Sequence, residues 1–404
     1  MLNKKIFHSF VNLSFIQIAN LFSPLIIYPF LIHNYGVNDF GIIVFHQGII
    51  AFFAIVINFG FYITGAKDVA QNLDSFSDIV SNIFTIKIIL WLGSLIIVCI
   101  ISLLNFSTVN SLLLFICFFS TFYELLFVQW FFQGVENLKW ITLINTAGKV
   151  LLTILCLTLI NANSTIYLVP LIFAIVNLLT GLSSIFLMYK IYRVNYIIPQ
   201  RQVLLHYFKN ASPIFISNIT VSIKDRASTI LIGSFLGMSA VAIYDLSIRL
   251  LNLVSIPISV YSDAVFPKAV KIRSNTLLKR SIFLIFFASL LIVLIALYFL
   301  PYFVSMFAGE DMLIGLDAYY IMMSALPIVS VSLIIARLGL LVFNHNKIYM
   351  KIMFLTVYFY IGSVFFGYLL NLLGSLSFYV YLAFSSYLVE MLLRAYFSRK
   401  LRVL

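Results

Sequence analysis

The feature that most constrains this chain is a series of apolar runs, each roughly 20 residues long, separated by short polar stretches. Hydrophobic residues make up 63% of the 404 residues and charged residues only 9%. A soluble protein of this composition would have too few polar residues to cover its surface. A transmembrane barrel would instead show alternating segments of about ten residues, which this sequence does not contain. The pattern therefore predicts an all-α integral membrane protein.

The apolar runs predict about 12 transmembrane helices. The first run follows Lys4 and Lys5, and we expect it to be the first span rather than a cleavable signal peptide. The predicted spans are His8–Ile32, Ile42–Ile63, Ile83–Leu104, Leu112–Phe132, Ile141–Ile160, Ile166–Tyr189, Ala211–Gly233, Ala240–Ser262, Ser281–Val304, Asp317–Phe343, Ile352–Asn371 and Leu376–Phe397.

The distribution of basic residues predicts the orientation. If the N-terminus is cytoplasmic, the proposed outer connections contain no Lys or Arg and carry Asp39, Glu310 and Asp311 instead. The basic residues then lie in cytoplasmic segments, apart from those inside spans, which are Lys87, Lys149, Lys224, Arg226, Arg249 and Arg337. This split predicts that both termini are inside (N-in/C-in). It also explains the net charge of +12 without nucleic acid as a partner.

A basic cytoplasmic stretch, Lys190–Asn210, divides the predicted spans into two halves. We therefore expect two lobes of six helices, residues 1–200 and 201–404. An even number of spans per lobe makes any internal repeat parallel, related by an axis along the membrane normal. The turns YGVNDFGII and LGMSAVAIY give weak support, because a shift of 201 residues places Gly36 on Gly237.

The seventh span, ASPIFISNITVSIKDRASTILIG, carries charges at mid-membrane depth. Helical spacing places Asn218 and Ser222 on the face of Asp225, with Lys224 and Arg226 on its shoulders. Three adjacent charges cannot all pair within one helix, and charges in spans usually face a cavity or one another. We therefore expect a central water-filled cavity with a cationic bias, suited to an anionic ligand.

Other spans also contain polar residues, and two interpretations of them stay open. Asp245 and Arg249 are four residues apart, so they either pair within their helix or face the ligand. Lys87 and Arg337 lie nearer the cytoplasmic end, where they could snorkel to the interface. The remaining polar or small positions are Glu124 and Lys149 halfway along their spans, Asn252 on the stripe of Asp245 and Arg249, Gln17, Asn20 and Pro24 in the first span, and Gln47, Ala51, Ala54 and Asn58 in the second.

The sequence gives no indication of an enzyme. There is no GxxxxGK[ST] motif, and the five histidines are scattered without metal-ligand spacing. The cysteines Cys99, Cys117 and Cys156 lie inside apolar runs and are expected to be buried thiols. We therefore predict a protein with no catalytic residues, metal or cofactor.

Five segments resemble the Wzx-type O-antigen and polysaccharide flippases of the multidrug/oligosaccharidyl-lipid/polysaccharide exporter superfamily. They are SPLIIYPFLIHNYGVNDFGIIVF, INFGFYITGAKDVAQ, VQWFFQGVENLKW, SPIFISNITVSIKDRASTILIGSFLGMSAVAIYDLSIRL and DAVFPKAVK. Two positions depart from the family pattern, since Lys67 stands where Arg is commoner and Gln129 replaces an acid.

The resemblance implies alternating-access export of undecaprenyl-diphosphate-linked O-antigen repeat units across a bacterial inner membrane. It implies membrane lipids and other O-antigen assembly proteins as partners. The diphosphate would be attracted by Lys224, Arg226, Arg249 and Lys149, with Asn218 and Ser222 on the same polar surface. The candidates for ion coupling or polar cavity contacts are Asp225, Glu124 and Asp245.

Three alternatives differ from this interpretation in specific features. A drug/cation antiporter of the same superfamily would favour acidic over basic cavity residues. A membrane-bound O-antigen polymerase would need a large outer loop, whereas the longest outer connection, near Ser305–Leu316, is short. A purely structural subunit would not need the polar stripe of the seventh span.

The orientation can be tested by cysteine labelling. Because outer connections lack Lys and Arg, single cysteines placed at Asn163 and Gly374 should react with an impermeant thiol reagent in intact cells. A cysteine at Gln200 should react only after the inner membrane is permeabilised. Labelling of Gln200 in intact cells would contradict the predicted N-in/C-in topology.

Overall fold

The fold is described from a computed structural model of the chain. It describes residues 2–72, 75–104 and 106–404, with the backbone alone for 2–18, 21, 22, 221, 224, 225, 267 and 268. Every regular element in these ranges is a helix. This confirms the all-α prediction and follows from the solvent, because backbone N–H and C=O groups inside a lipid bilayer must be paired within the protein.

The chain forms two compact units, Met1–Ser222 and Ile223–Leu404. The first contains α1 (Leu2–Asn58), α2 (Phe61–Gln71), α3 (Phe76–Leu103), α4 (Ser111–Phe119), α5 (Phe122–Leu126), α6 (Gln129–Gly134), α7 (Lys139–Leu159) and α8 (Leu168–Tyr192). The boundary falls inside α9 (Arg201–Phe235). The predicted lobes, 1–200 and 201–404, therefore stay a prediction. Most of the predicted Lys190–Asn210 loop is helical, since α8 ends at Tyr192 and α9 begins at Arg201.

The second unit continues with longer helices. They are α10 (Met238–Ile272), α11 (Asn275–Ala308), a 3₁₀ helix (Glu310–Gly315), α12 (Leu316–Ser324), α13 (Leu326–Ile334), a π-helix (Ile335–Leu341), α14 (Asn346–Leu369), a second 3₁₀ helix (Leu372–Gly374) and α15 (Leu376–Lys400). The connection after α11, which is predicted to be an outer one, is a single short 3₁₀ helix.

Within the described ranges, ten helical segments are long and apolar enough to cross a membrane. One of them, Ser23–Gln71, includes a kink at Gly36 and covers parts of two predicted spans. The charged helix α9 is not among the ten. The segment with the kink accounts for two predicted spans and α9 for one more, so all 12 predicted spans fall on helical segments. The N-in/C-in orientation and the central cavity stay predictions.

The backbone supports the correspondence between Gly36 and Gly237. Gly36 has φ 78° and ψ 171°, and Gly237 has φ 91° and ψ 177°. This region is essentially restricted to glycine, because a Cβ atom would be strained there. Both turns therefore use the same glycine-dependent conformation, as a parallel repeat of the two halves would require.

The fourth and tenth predicted spans are interrupted. α4 and α12 each contain 9 residues and are followed closely by a further short helix. The span predicted over Leu112–Phe132 lies within the candidate membrane span Ser111–Gly134, but it is not one continuous helix, because it consists of α4, α5 and α6. The interruption matters because α5 carries Glu124.

Apolar packing fixes these short helices in the first unit. One buried cluster joins α2, α3 and α6 around Trp130, Phe131 and Phe132. A second joins α1, α3 and α4 around Leu113 and Phe118. Large apolar side chains on α3 and α11 stay exposed, which is the arrangement expected of surfaces that face lipid.

Candidate functional site

Two adjoining pockets lie within the first unit and share Ala54 and Glu124. The Asn177 pocket has a volume of about 320 Å³ and is lined by Asn20, Gln47, Ile50, Ala51, Ala54, Ser120, Thr121, Tyr123, Glu124, Lys149, Phe173 and Asn177. The Asn218 pocket has a volume of about 340 Å³ and is lined by Ala54, Ile55, Asn58, Tyr62, Glu124, Asn218 and Ser222.

The break in the fourth span places Glu124 between these pockets. Where α4 ends, the Ser120 carbonyl oxygen accepts a hydrogen bond from Asn177 Nδ2 at 3.0 Å. Within α5, the Glu124 carbonyl oxygen accepts from Lys87 Nζ at 2.8 Å. The Ser120 carbonyl also accepts from the Tyr123 N–H at 3.3 Å, so Asn177 adds a second donor there. Lys87 instead pairs a carbonyl that a continuous helix would have paired itself.

A second set of contacts stabilises the junction between α5 and α6. The Ser184 hydroxyl accepts a hydrogen bond from the Val128 N–H at 3.3 Å and lies 3.2 Å from the Leu126 carbonyl oxygen. Its shortest contact is 2.7 Å, to the Gly181 carbonyl oxygen of its own helix, so its single proton is shared or donated there. Ser184 is fully buried, and leaving the Val128 N–H unpaired would cost about 1–3 kcal/mol. The fourth span can therefore turn sharply without exposing its backbone to lipid.

The ionisable groups of the Asn177 pocket are Glu124 and Lys149, of opposite charge. Asn58 Nδ2 donates to Glu124 Oε2 at 2.7 Å. Lys149 Nζ lies over the ring of Tyr123, 5.5 Å from its centroid. Tyr123 in turn donates from its hydroxyl to Asn145 Oδ1 at 2.8 Å, so its ring is fixed in place.

Three amide side chains of this pocket are oriented by neighbouring groups. Asn177 is fixed by its bond to the Ser120 carbonyl. Gln47 Oε1 accepts from the Tyr28 hydroxyl at 3.4 Å, and Asn20 Oδ1 accepts from Asn145 Nδ2 at 3.4 Å. Each amide has donors and acceptors beyond those bonds. The pocket therefore presents pre-oriented neutral hydrogen-bonding groups beside one carboxylate and one ammonium group.

The structure brings together many of the residues that the sequence indicates. The predicted stripe of the second span lines the pockets completely, with Gln47, Ala51 and Ala54 in the Asn177 pocket and Asn58 in the Asn218 pocket. Four predicted site residues also line them, namely Glu124, Lys149, Asn218 and Ser222. In addition, the Tyr62 hydroxyl donates to Asn218 Oδ1 at 3.5 Å.

The remaining predicted site residues belong to the second unit. Arg226 is exposed, and the side chains of Lys224 and Asp225 lie outside the described residues. Arg249 Nε is 2.5 Å from Asp245 Oδ2, so the i,i+4 ion pair that the spacing permits is formed. The structure therefore favours the pairing interpretation of these two residues.

Snorkelling is the wrong interpretation of Lys87. Its side chain is 2% exposed and donates to the Glu124 carbonyl. The acceptor exists only because the fourth span is broken, which the hydrophobic pattern did not indicate. Arg337 lies in the π-helix and forms an ion pair with Asp263 of α10. Sequence reasoning also missed Asn177, whose single signal is an isolated amide within the apolar α8.

Comparisons with solved structures define the class of fold. The chain is similar to an inward-facing multidrug resistance MATE family transporter of the MOP superfamily, with a TM-score of 0.72, 16% identity and coverage of 98% of this chain and 99% of the other. It is also similar to the lipid II flippase MurJ in an inward closed conformation, with a TM-score of 0.77, 15% identity and coverage of 95% and 87%. The chain therefore has the fold of these membrane transporters.

The family follows from the sequence. The chain belongs to the family described as polysaccharide biosynthesis protein, which it matches over residues 8–273. It is 22% identical over 274 residues to the "Putative O-antigen transporter" of Escherichia coli K12, covering 67% of this chain. The match to the protein of the same name from Shigella dysenteriae is 22% over 258 residues, covering 63% of this chain. The aligned part spans 65% of the length of each relative.

These findings confirm the resemblance recognised in the sequence. Together with the apolar helices, they also confirm a multi-pass protein of the bacterial inner membrane.

The Asp245–Arg249 pair generates a double-variant test. If the pair is structural, Arg249→Gln or Asp245→Asn alone strands a mostly buried charge at a cost of about 3–5 kcal/mol. We expect each single variant to lower the amount of protein in the membrane and the double variant to restore it, measured by quantitative immunoblotting. Normal abundance of both single variants would contradict a structural pair.

Proposed function

We propose that the protein is a flippase that moves undecaprenyl-diphosphate-linked O-antigen repeat units across the inner membrane by alternating access. The observation that carries the proposal is the pair of polar pockets inside a membrane-spanning unit with an apolar outer surface. Family membership and the names of the relatives support the class of cargo. In this account the protein is a transporter and catalyses no covalent reaction.

A polar pocket is what a hydrophilic cargo requires in a bilayer. Transfer of hydroxyl or charged groups into hydrocarbon costs several kcal/mol unless hydrogen bonds replace those to water. Amides, a carboxylate and an ammonium group line the Asn177 pocket and would supply such bonds. The polyprenyl chain has no such need and would stay in the lipid.

The residues proposed for the diphosphate differ in their surroundings. Lys149 lines the same pocket as Glu124, and Arg249 is paired with Asp245, so part of each positive charge is compensated. Arg226 is exposed and is therefore our preferred cation for the diphosphate. Lys224 stays a sequence-based candidate beside it.

Coupling to a proton or sodium gradient is a further part of the proposal. The acidic candidates are Glu124, Asp225 and Asp245. Glu124 is the one that lines both pockets, where its ionisation would change the polarity of each. A drug/cation antiporter is the second candidate function, favoured by the fold of the MATE transporter and by this acidic group inside a membrane unit.

Complementation of a deletion strain tests the proposed function. Deletion of the gene should remove surface O-antigen, and the wild-type chain should restore it. Arg226→Ala removes a charge-assisted contact worth about 1.5–3 kcal/mol, so export should fall by about tenfold at unchanged protein abundance. The matched control is Lys190→Ala, which removes an exposed cation of α8 outside both pockets and should export normally.

Two outcomes would contradict parts of the proposal. Normal export by Arg226→Ala would remove this residue from the binding site. If deletion left surface O-antigen unchanged and instead increased susceptibility to cationic drugs, the antiporter would be the better assignment.

A further inference from the structure

The charge balance of the Asn177 pocket does not suit a diphosphate. Its ionisable lining residues are one glutamate and one lysine. A diphosphate requires an excess of positive charge, supplied by Arg or Lys groups that donate charge-assisted hydrogen bonds. Here the carboxylate of Glu124 would repel the phosphate oxygens that the ammonium group of Lys149 attracts. The better ligand for this pocket carries no net charge.

The neutral groups of the pocket match a ligand rich in hydroxyls. An amide offers both donors and acceptors, as does a sugar hydroxyl or an acetamido group. One bond already orients each of Asn20, Gln47 and Asn177, so binding would require little further ordering. The Glu124 carboxylate, held by Asn58 through one oxygen, has a second oxygen that can accept from a hydroxyl.

The volume of the Asn177 pocket and the apolar part of its lining also fit a sugar ligand. A volume of about 320 Å³ is near the lower end of ligand pockets, roughly 300–1,000 Å³, and suits part of an oligosaccharide rather than a whole repeat unit. Phe173 adds an aromatic side chain to the lining, as expected for a ligand with apolar C–H surfaces.

We propose that the Asn177 pocket is a sugar subsite that binds an uncharged sugar of the lipid-linked repeat unit, while the diphosphate binds elsewhere. This inference rests on the proposed flippase function and adds the place where the sugar is recognised. Gln47, Asn177 and Glu124 then determine which sugar is accepted, because a site built for hydrogen bonding strongly rejects a ligand that leaves its polar groups unpaired.

The experiment compares two probes on the purified full-length protein in lipid nanodiscs. The probes are the lipid-linked repeat unit extracted from membranes of the deletion strain, and undecaprenyl diphosphate without sugar. We expect the wild type to bind the first at least about tenfold more tightly, since a tenfold ratio corresponds to about 1.4 kcal/mol of sugar contacts. Gln47→Leu and Asn177→Leu should remove most of this preference and leave the Kd of undecaprenyl diphosphate within about twofold.

The two variants differ in how strongly the substitution is expected to disturb folding. Asn177 also pairs the Ser120 carbonyl at the helix break, so Asn177→Leu could reduce folding. Among the described residues, the hydrogen bond of Gln47 is to Tyr28 and not to that break, so Gln47→Leu tests the subsite even if Asn177→Leu fails to accumulate. The matched control, Gln133→Leu, changes an exposed glutamine outside both pockets and should keep the wild-type preference.

The outcomes separate this inference from the function on which it rests. Equal affinity of the wild type for both probes, or an unchanged preference in Gln47→Leu, would overturn the sugar subsite while export in cells still supports the flippase. Weaker binding of undecaprenyl diphosphate by the Gln47→Leu variant would assign the pocket to the diphosphate instead. No binding of either probe by the wild type, together with no effect of gene deletion on O-antigen, would overturn the flippase itself.

Discussion

The rest of the first unit depends on how the broken fourth span pairs its backbone inside the membrane. A helix interruption in lipid is stable only when other groups of the protein replace the lost hydrogen bonds. Here Lys87 of α3 and Ser184 of α8 do so, and Asn177 of α8 adds a second donor to the Ser120 carbonyl. Because these bonds stabilise the short helix α5, the carboxylate of Glu124 can line both pockets rather than face lipid. These hydrogen bonds thus offset the free-energy cost of the break at the position where the two pockets contain the Glu124 carboxylate.

The need to pair polar groups inside a membrane also explains where the charged side chains of the second unit lie. In the described part of the second unit, three Arg residues form ion pairs with acidic side chains: Arg249 with Asp245, Arg337 with Asp263 and Arg394 with Glu390. Of these, Arg394–Glu390 is the most buried, and Arg337–Asp263 is partly exposed. Removing one partner of a buried pair is costly, although replacing both can be nearly neutral, so such a pair serves packing better than binding. Binding of a hydrophilic cargo would instead use the amides of the first unit and the exposed Arg226.

Much of the architecture could be predicted from the sequence, because apolar runs, basic connections and helical stripes are local patterns. The stripe from Gln47 to Asn58 was found by its period, and the Asp245–Arg249 pair by its spacing of four. The break in the fourth span could not be found this way, since no Pro or Gly interrupts α4 and α5. Lys87 and Asn177 were therefore misjudged or missed, because their acceptors are carbonyls that only the break exposes.

The most direct measurement of the central claim is translocation in a reconstituted system. Lipid-linked repeat units in both leaflets of a vesicle are exposed to a membrane-impermeant reagent that oxidises sugar diols, with and without the purified protein, under imposed proton or sodium gradients. Without protein, only outer-leaflet units should react. The account predicts that the protein makes the inner-leaflet units reactive as well. An unchanged reactive fraction under every gradient, with folded protein present and the vesicles sealed, would contradict it.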